Sequence, residues 1–277
     1  MFRLDKREMN PEDIPILKNK YFDDSTVFTP ESLLREARRQ KALPQVKVPD
    51  LCILDPDGDI IHNLLSEKRA LQNPDWACYH TELLTFTLGG IEFGVIGYAV
   101  GAPFAVLVAE ELFASGCRLL ISITSAGQIY PGKNPPYFVF IEKALRDEGA
   151  SYHYLPSAKY SKVSKRILAM MDGAFEQFGI VIEHGSTWTT DAPFRETEKA
   201  IEYCKSEGIL AVEMEAAALY AFSEARKKPV ICIAHVTNQM GSKIGDFEKG
   251  DADGSREALE LILLVARSWK LVHEVLL

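Results

Sequence analysis

From Leu51 onward the chain alternates short apolar runs with stretches of helical character, and this alternation restricts its fold more than any other feature. The runs Leu51-Cys52-Ile53-Leu54, Leu119-Leu120-Ile121-Ser122-Ile123 and Val230-Ile231-Cys232-Ile233-Ala234 are short, uncharged and rich in β-branched residues, as strands covered on both faces are. Further strands are expected over 137–141 and 180–182. Two more, over 81–88 and 91–98, are joined by Gly89-Gly90 as a two-residue hairpin. Helices are expected over 104–114, 164–178, 194–205 and 213–227. A last one starts near Asp253-Gly254-Ser255 and carries Leu259, Ile262, Leu263 and Ala266 along one side. Strands alternating with helices predict the α/β class: a single domain with a central mixed, largely parallel β-sheet flanked by helices.

With 277 residues, 47% of them hydrophobic, residues 51–277 can bury one large core. Residues 1–50 are polar and punctuated by proline, and read as an N-terminal arm packed on the main body. Within the arm, Thr29-Pro30-Glu31 has the order of an N-cap, a first helical residue and a first-turn acid.

A formal net charge of −8 and a pI near 5.4 argue against a nucleic-acid partner, which calls for a basic face. The basic cluster from Lys159 to Arg166 is interleaved with Tyr160 and Val163, as on the exposed side of an amphipathic helix. The five cysteines are widely spaced and form no C-x-x-C pair, which suits reduced thiols. The charged start Met1-Phe2-Arg3-Leu4-Asp5-Lys6 is no signal peptide, and the longest uncharged run, 93–109, is short of the ~20 apolar residues of a membrane span. A cytoplasmic protein with no membrane partner is expected. The six histidines include no H-E-x-x-H, so no metal is expected. The chain also has no G-x-S-x-G elbow, no Walker A run and no G-x-G-x-x-G, so no dinucleotide cofactor is expected.

In open α/β sheets the ligand crevice lies beyond the carboxyl ends of strands. The segments expected there are 55–58, 97–103, 122–128, 185–195 and 235–242. Gly97 to Pro103, with Gly101, and Thr124-Ser125-Ala126-Gly127 can offer N–H groups and hydroxyls to an anion or a sugar, or can simply be tight turns. In Trp188 to Glu196, Trp188 offers a flat ring and Arg195 a fork of donors for a heterocycle. The same segment also reads as a surface loop in which Asp191 caps the next helix and Arg195 pairs with a nearby acid. Ala211-Val212-Glu213-Met214-Glu215-Ala216-Ala217 places two carboxylates at the start of a buried, Ala-rich helix, where negative charge is favoured. On a helix, residues 213 and 215 diverge, so one pocket meets Met214 and a single glutamate.

In this order and spacing the segments resemble the nucleoside phosphorylase superfamily, from about Leu51 to the C-terminus. The most specific piece is Val212-Glu213-Met214-Glu215-Ala216-Ala217, which matches the family's V-E-M-E-A-A signature. Asp147-Glu148-Gly149-Ala150-Ser151-Tyr152-His153-Tyr154-Leu155-Pro156 looks like the D-G-A-S-x-H-[FY]-x-P stretch of the uridine phosphorylase branch, and Val236-Thr237-Asn238-Gln239 falls where that branch has V-N-R. The resemblance implies phosphorolysis of a uridine-like nucleoside to base and pentose 1-phosphate, with inorganic phosphate as co-substrate and no other cofactor. It implies a homo-oligomer, a dimer or hexamer. Met214 and Glu215 would hold the ribose, with Glu215 accepting from its 2′- and 3′-hydroxyls. Trp188, Arg195, Asn238 and Gln239 would surround the base, with Arg195 on a pyrimidine carbonyl. Gly101, Thr124 and Ser125 would face the phosphate, and Glu215 and Arg195 would be the catalytic residues. Purine-cleaving members carry an acid where Asn238 stands, which disfavours purines.

The departures lie at the phosphate. Leu54-Asp55-Pro56-Asp57-Gly58 stands where the family has G-D-P-x-R, Ser122 and, on a looser alignment, Thr85 stand where it has two further arginines, and Gln239 replaces the arginine of V-N-R. Either Arg69, His80, Lys133 or Lys159 takes over, or phosphate is not the nucleophile. A nucleoside hydrolase on the same fold and a non-catalytic nucleoside binder therefore stay open.

Overall fold

Five strands close on one another at the centre of the molecule, and the remaining strands extend the sheet from that ring. The structure, a computed structural model, describes residues 14–177, 181–240 and 246–274. In chain order its elements are α1 (Pro30–Lys41), β1 (Leu51–Asp55), α2 (Asp59–Ser66), β2 (Ala70–Gln72), β3 (Leu84–Leu88), β4 (Ile91–Gly97), α3 (Ala102–Ala114), β5 (Leu119–Gln128), β6 (Tyr137–Asp147), β7 (Tyr160–Lys162), α4 (Lys165–Met171), α5 (Ala174–Gln177), β8 (Glu183–Thr190), α6 (Glu198–Ser206), β9 (Ile209–Glu213), α7 (Ala216–Arg226), β10 (Val230–Asn238) and α8 (Ser255–Glu274). The sheet order is β10-β6-β8-β9-β5-β1-β4-β3-β2, and β5 also pairs with β10, which closes the ring. The expected α/β domain with a mixed central sheet is present. It is less parallel than the alternation suggests, because parallel pairings (β1–β4, β1–β5, β5–β10, β6–β8, β8–β9) are matched in number by antiparallel ones (β2–β3, β3–β4, β5–β9, β6–β7, β6–β10).

The apolar runs supply the interior. Every residue of β1 is buried, and β10 is buried from Val230 to Thr237. Helix α7 is apolar around its circumference and is buried from Ala216 to Ser223. Its Tyr220 hydroxyl donates to the Ile141 carbonyl and accepts from the Cys232 N–H, which ties the helix to β6 and β10. Helix α1 has the expected Thr29 cap, reinforced by Ser32, and packs on α3 through Leu34 and Ala37. Gly89 and Gly90 both have positive φ, as a two-residue hairpin turn requires. The five cysteines are buried and unpaired. Among the described residues no helix is long and apolar enough to cross a membrane.

Several boundaries differ from the sequence reading, and most of the differences have one cause. Strand β5 continues through Thr124-Ser125-Ala126-Gly127, β8 runs through Trp188-Thr189-Thr190, β9 includes Glu213, and β10 includes His235. These polar residues look like loop because a strand is expected to be apolar or to alternate. Here the hydroxyls of Thr124, Thr187 and Thr189 donate to buried carboxylates, so polarity does not mean solvent. The 180–182 strand is accordingly replaced by Glu183–Thr190; residue 180 lies outside the described residues, and Val181 and Ile182 are not in a strand. The helix expected over 164–178 breaks into α4 and α5 at Asp172-Gly173, where Gly173 has φ +68°. That expected over 194–205 begins only at Glu198, after Thr197, whose hydroxyl accepts the Ala200 N–H; Pro193–Arg195 is a separate single turn. Asp191 does not cap it and instead accepts the Gly149 N–H. Helix α7 starts at Ala216 rather than Glu213.

Replacing Tyr220 with Phe leaves the Ile141 and Cys232 backbone groups short of a partner in a fully buried site. A loss of about 1–3 kcal/mol is expected, read as a lower urea midpoint at unchanged m-value; an unchanged midpoint would show that the hydroxyl ties nothing.

Candidate active site

The junction between β9 and α7 sets the site. Glu213, the last residue of β9, is buried inside the ring. Its Oε1 accepts from the Thr187 hydroxyl at 3.0 Å and the Thr189 hydroxyl at 2.5 Å, and its Oε2 accepts from the N–H groups of Glu215 and Ala216, each at 2.7 Å. Thr189 also accepts the Ala217 N–H at 2.9 Å. The first N–H groups of α7 are thereby satisfied from outside the helix. Burial raises the Glu213 pKa, and these hydrogen bonds work against that rise. Glu213 is thus a structural acid, and it acts from a strand end and not from a helix turn.

Glu215 occupies the cap position of α7 without capping it. Its side chain crosses to two other elements: Oε1 accepts the Gly101 N–H at 2.6 Å and Oε2 accepts the Thr124 hydroxyl at 2.8 Å. The residue is 1% exposed, and burial followed by the Glu213 charge pushes its pKa up. A carboxylate has about four acceptor positions, so two are left for further hydroxyls. Met214, between the two acids, is half-buried.

A second group of carboxylates comes from the turn after β1. Asp57 Oδ2 accepts the Ser125 N–H at 2.7 Å. Asp55 accepts the Ile61 N–H at 2.9 Å, and burial pushes its pKa up to about 7. Asp59 is held by Lys249 Nζ at 2.6 and 2.9 Å. The turn passes through Gly58 at φ +80°, where a Cβ would stand 2.1 Å from the Tyr98 ring, so only glycine fits. His235 faces the same place from β10, where it is the register partner of Ser125. Burial, then the positive charge of Lys249, lowers its pKa to about 4, so its ring is neutral at physiological pH.

The expected site residues are only partly assembled. Glu215, Gly101, Thr124 and Ser125 do converge, yet the donors expected to face an anion are held by the chain's own acids: Gly101 and Thr124 by Glu215, Ser125 by Asp57. Trp188 is 4% exposed, packs with Ile129, Cys204, Ile209 and Val212, and donates its indole N–H to Asp147, so its ring is part of the core and is not a stacking platform. Arg195 is exposed on the turn before α6. The Asn238 amide is engaged with Met240 and Thr237. Gln239 lines a separate cavity of about 390 Å³ with Gln128, Glu198 and Lys205; residues 241–245 beside it lie outside the described residues. Of the substitute cations, Arg69 pairs with Glu67, Lys133 with Glu183 and Lys159 with Glu207, while His80 is exposed. Asp57, His235 and Lys249 were not singled out as site residues. The signal for Asp57 was the acid-rich turn 55–59 in place of an arginine turn; His235 was hidden by reading 235–242 as loop.

Residues 50–267 match the Phosphorylase superfamily. The chain belongs to this family. Among curated relatives it is 25% identical to a uridine phosphorylase of Thermococcus kodakarensis over 68% of this chain and 73% of the relative. It is 25% identical to a guanosine phosphorylase of Halorubrum lacusprofundi over 62% and 70%, and 26% identical to a DeoD-type purine nucleoside phosphorylase of Exiguobacterium sibiricum over 56% and 67%. The crystal structure of uridine phosphorylase from Vibrio fischeri ES114 superposes with a TM-score of 0.64 at 21% identity, over 82% of this chain and 93% of that one, and so shares the fold. These relatives comprise pyrimidine- and purine-cleaving phosphorylases, and the family is that of nucleoside phosphorylases.

The two glutamates are expected to separate stability from function. Glu213→Ala strands two hydroxyls and two helix N–H groups, and a loss of roughly 2–4 kcal/mol in chemical denaturation is expected. Glu215→Gln should behave oppositely with pH. The native pKa of Glu215 lies above its unfolded value, so the folded state binds the proton more tightly and stability falls as pH rises from about 4.5 through the raised pKa. The Gln variant lacks this slope and should lose less stability than wild type between pH 5 and about 8; parallel stability curves for the two proteins would contradict it.

Proposed function

We propose that this protein cleaves the N-ribosyl bond of a nucleoside, and that water is the nucleophile. The observation that carries the choice of nucleophile is the Asp57 carboxylate on the Ser125 N–H at 2.7 Å, where the resemblance puts phosphate. An incoming phosphate would have to displace Asp57 and then sit beside it. Each pair of like unit charges about 4 Å apart costs about 4 kcal/mol at an effective dielectric near 20. Water carries no such cost.

Glu215, with Met214 beside it, is the ribose clamp, using its two spare acceptor positions for the 2′- and 3′-hydroxyls. As the C1′–N bond breaks, positive charge develops on the sugar, and the Asp57 carboxylate stabilises it. The water oxygen bonds to C1′, its proton passes to Asp57, and the C1′–N electron pair leaves with the base. With an amide at Asn238 in place of an acid, a base that departs as a delocalised anion, such as uracil, is the leaving group we infer. A homo-oligomer is also inferred, supported by the exposed apolar side chains of Phe28, Tyr98, Val100 and Leu107.

Phosphorolysis is the second reading, favoured by the phosphorylase names of the relatives. Incubation with a nucleoside panel, with and without phosphate, separates the two. Free ribose in both conditions is expected; ribose 1-phosphate formed only with phosphate overturns the choice of water. No product, but a rise in melting temperature with nucleoside, would make the protein a binder. Glu215→Ala should abolish turnover, by more than about 100-fold, while circular dichroism stays native; wild-type turnover in that variant would remove the clamp.

A further inference from the structure

Beneath Ser125 lies a cavity of about 10 Å³ walled by Asp55, Asp57, Asp59, Thr124, Ser125 and His235, among others. That volume is about what a single water requires, and the walls are polar enough to hold one. We propose that this cavity seats the attacking water and that His235 is its positioning residue. The inference rests on the hydrolytic reading above and adds to it the group that aims the nucleophile.

Three observations single out His235. Its ring is clamped on one face and one edge: Phe138 stacks on it at 4.4 Å with planes 10° apart, and a Cβ on Gly254 would stand 2.1 Å from its Cε1 and 2.9 Å from its Nδ1. Gly254, at φ +75°, therefore serves as a wall that no side chain can thicken. The residue is 5% exposed, yet neither ring nitrogen is hydrogen-bonded to another described residue. A water in the adjoining cavity would give one of them a partner. His235 and Ser125 are register partners on parallel β10 and β5, so their side chains leave the same face of the sheet, and both residues line the cavity together with Asp57.

A neutral imidazole offers one donor and one acceptor, enough to fix a water's orientation while Asp57 receives its proton. The balance of the reaction is unchanged: the O–C1′ bond forms, the C1′–N bond breaks, and His235 keeps its proton. Packing alone would be a sufficient role for a ring stacked on Phe138, so the test must retain the stack and remove the nitrogens.

His235→Phe does this. With free ribose from a fixed nucleoside as the readout, kcat is expected to fall about 100-fold, the scale of a misplaced reacting group, with KM within about 2-fold of wild type. His235→Gln, which restores a donor and an acceptor, should recover part of the loss. A Phe variant whose kcat is within about 3-fold of wild type overturns the inference while leaving hydrolysis intact. A wild-type protein that releases no free ribose overturns both. Should the Phe variant fail to fold, Gly254→Ala, which pushes the ring from its seat without removing its nitrogens, is expected to lower kcat similarly at unchanged KM; wild-type kcat in the folded Ala variant also overturns the proposal.

Discussion

The site depends on one buried carboxylate that touches no substrate. Removing Glu213 from water costs several kcal/mol, and four hydrogen bonds offset it, two from the hydroxyls of β8 and two from the N-terminus of α7. Bonds to an ionised acceptor at a helix N-terminus are among the stronger ones available to a protein. They fix the turn from β9 into α7 in three dimensions, because β8, β9 and α7 all meet on the same two oxygens. The direction of Glu215 follows from that turn. Without the anchor, Glu215 could cap its own helix, as acids at that position ordinarily do, and would no longer reach Gly101 and Thr124. The tolerance for two carboxylates this close comes from their unequal settings: Glu213 has four donors to hold its charge, while Glu215 has two and bears the rise in pKa.

Around this anchor the site is dominated by acids. Asp55, Asp57, Glu213 and Glu215 come from two separate turns, and the described cation beside them, Lys249, is paired to Asp59. The Asp57 carboxylate among them opposes an incoming anion and favours positive charge developing on a sugar. The site is also fixed in advance: the Gly101, Thr124 and Ser125 donors already hold their acids, so little has to reorganise when a neutral molecule enters.

Much of this was legible in the sequence, and the failures share a physical origin. The apolar runs of β1, β5 and β10, the Gly89-Gly90 hairpin, the Thr29 cap and the buried Ala-rich helix were readable because hydropathy, turn geometry and capping are local. The strands carrying Thr124, Thr187, Thr189 and His235 were not, because a buried acid in a closed ring inverts the usual sign of polarity in a strand, and ring closure is a long-range property. Trp188 was misread for the same reason: its loop is a strand, and its flat ring fills the second core cluster. The loss of the family's arginine at the β1 turn, where Gly58 stands, was visible. That Asp57 fills the vacated cradle was not, since the partner, Ser125, lies 68 residues away in the chain.

An anion cradle occupied by the protein's own carboxylate differs from a cradle that has merely lost its arginines. In the second case the N–H groups would still favour an anion and phosphate binding would only weaken. In the first the cradle's charge has changed sign: the Ser125 N–H serves to aim Asp57, and the carboxylate becomes the group that an incoming nucleophile meets. A carboxylate held by one backbone N–H keeps acceptor positions to spare, so it can hydrogen-bond a water and take its proton without leaving its place. The turn at the end of β1 that has Gly58 in place of the family's arginine also carries the carboxylate that the proposed mechanism uses as a base for water, and it leaves the proposed ribose clamp in place.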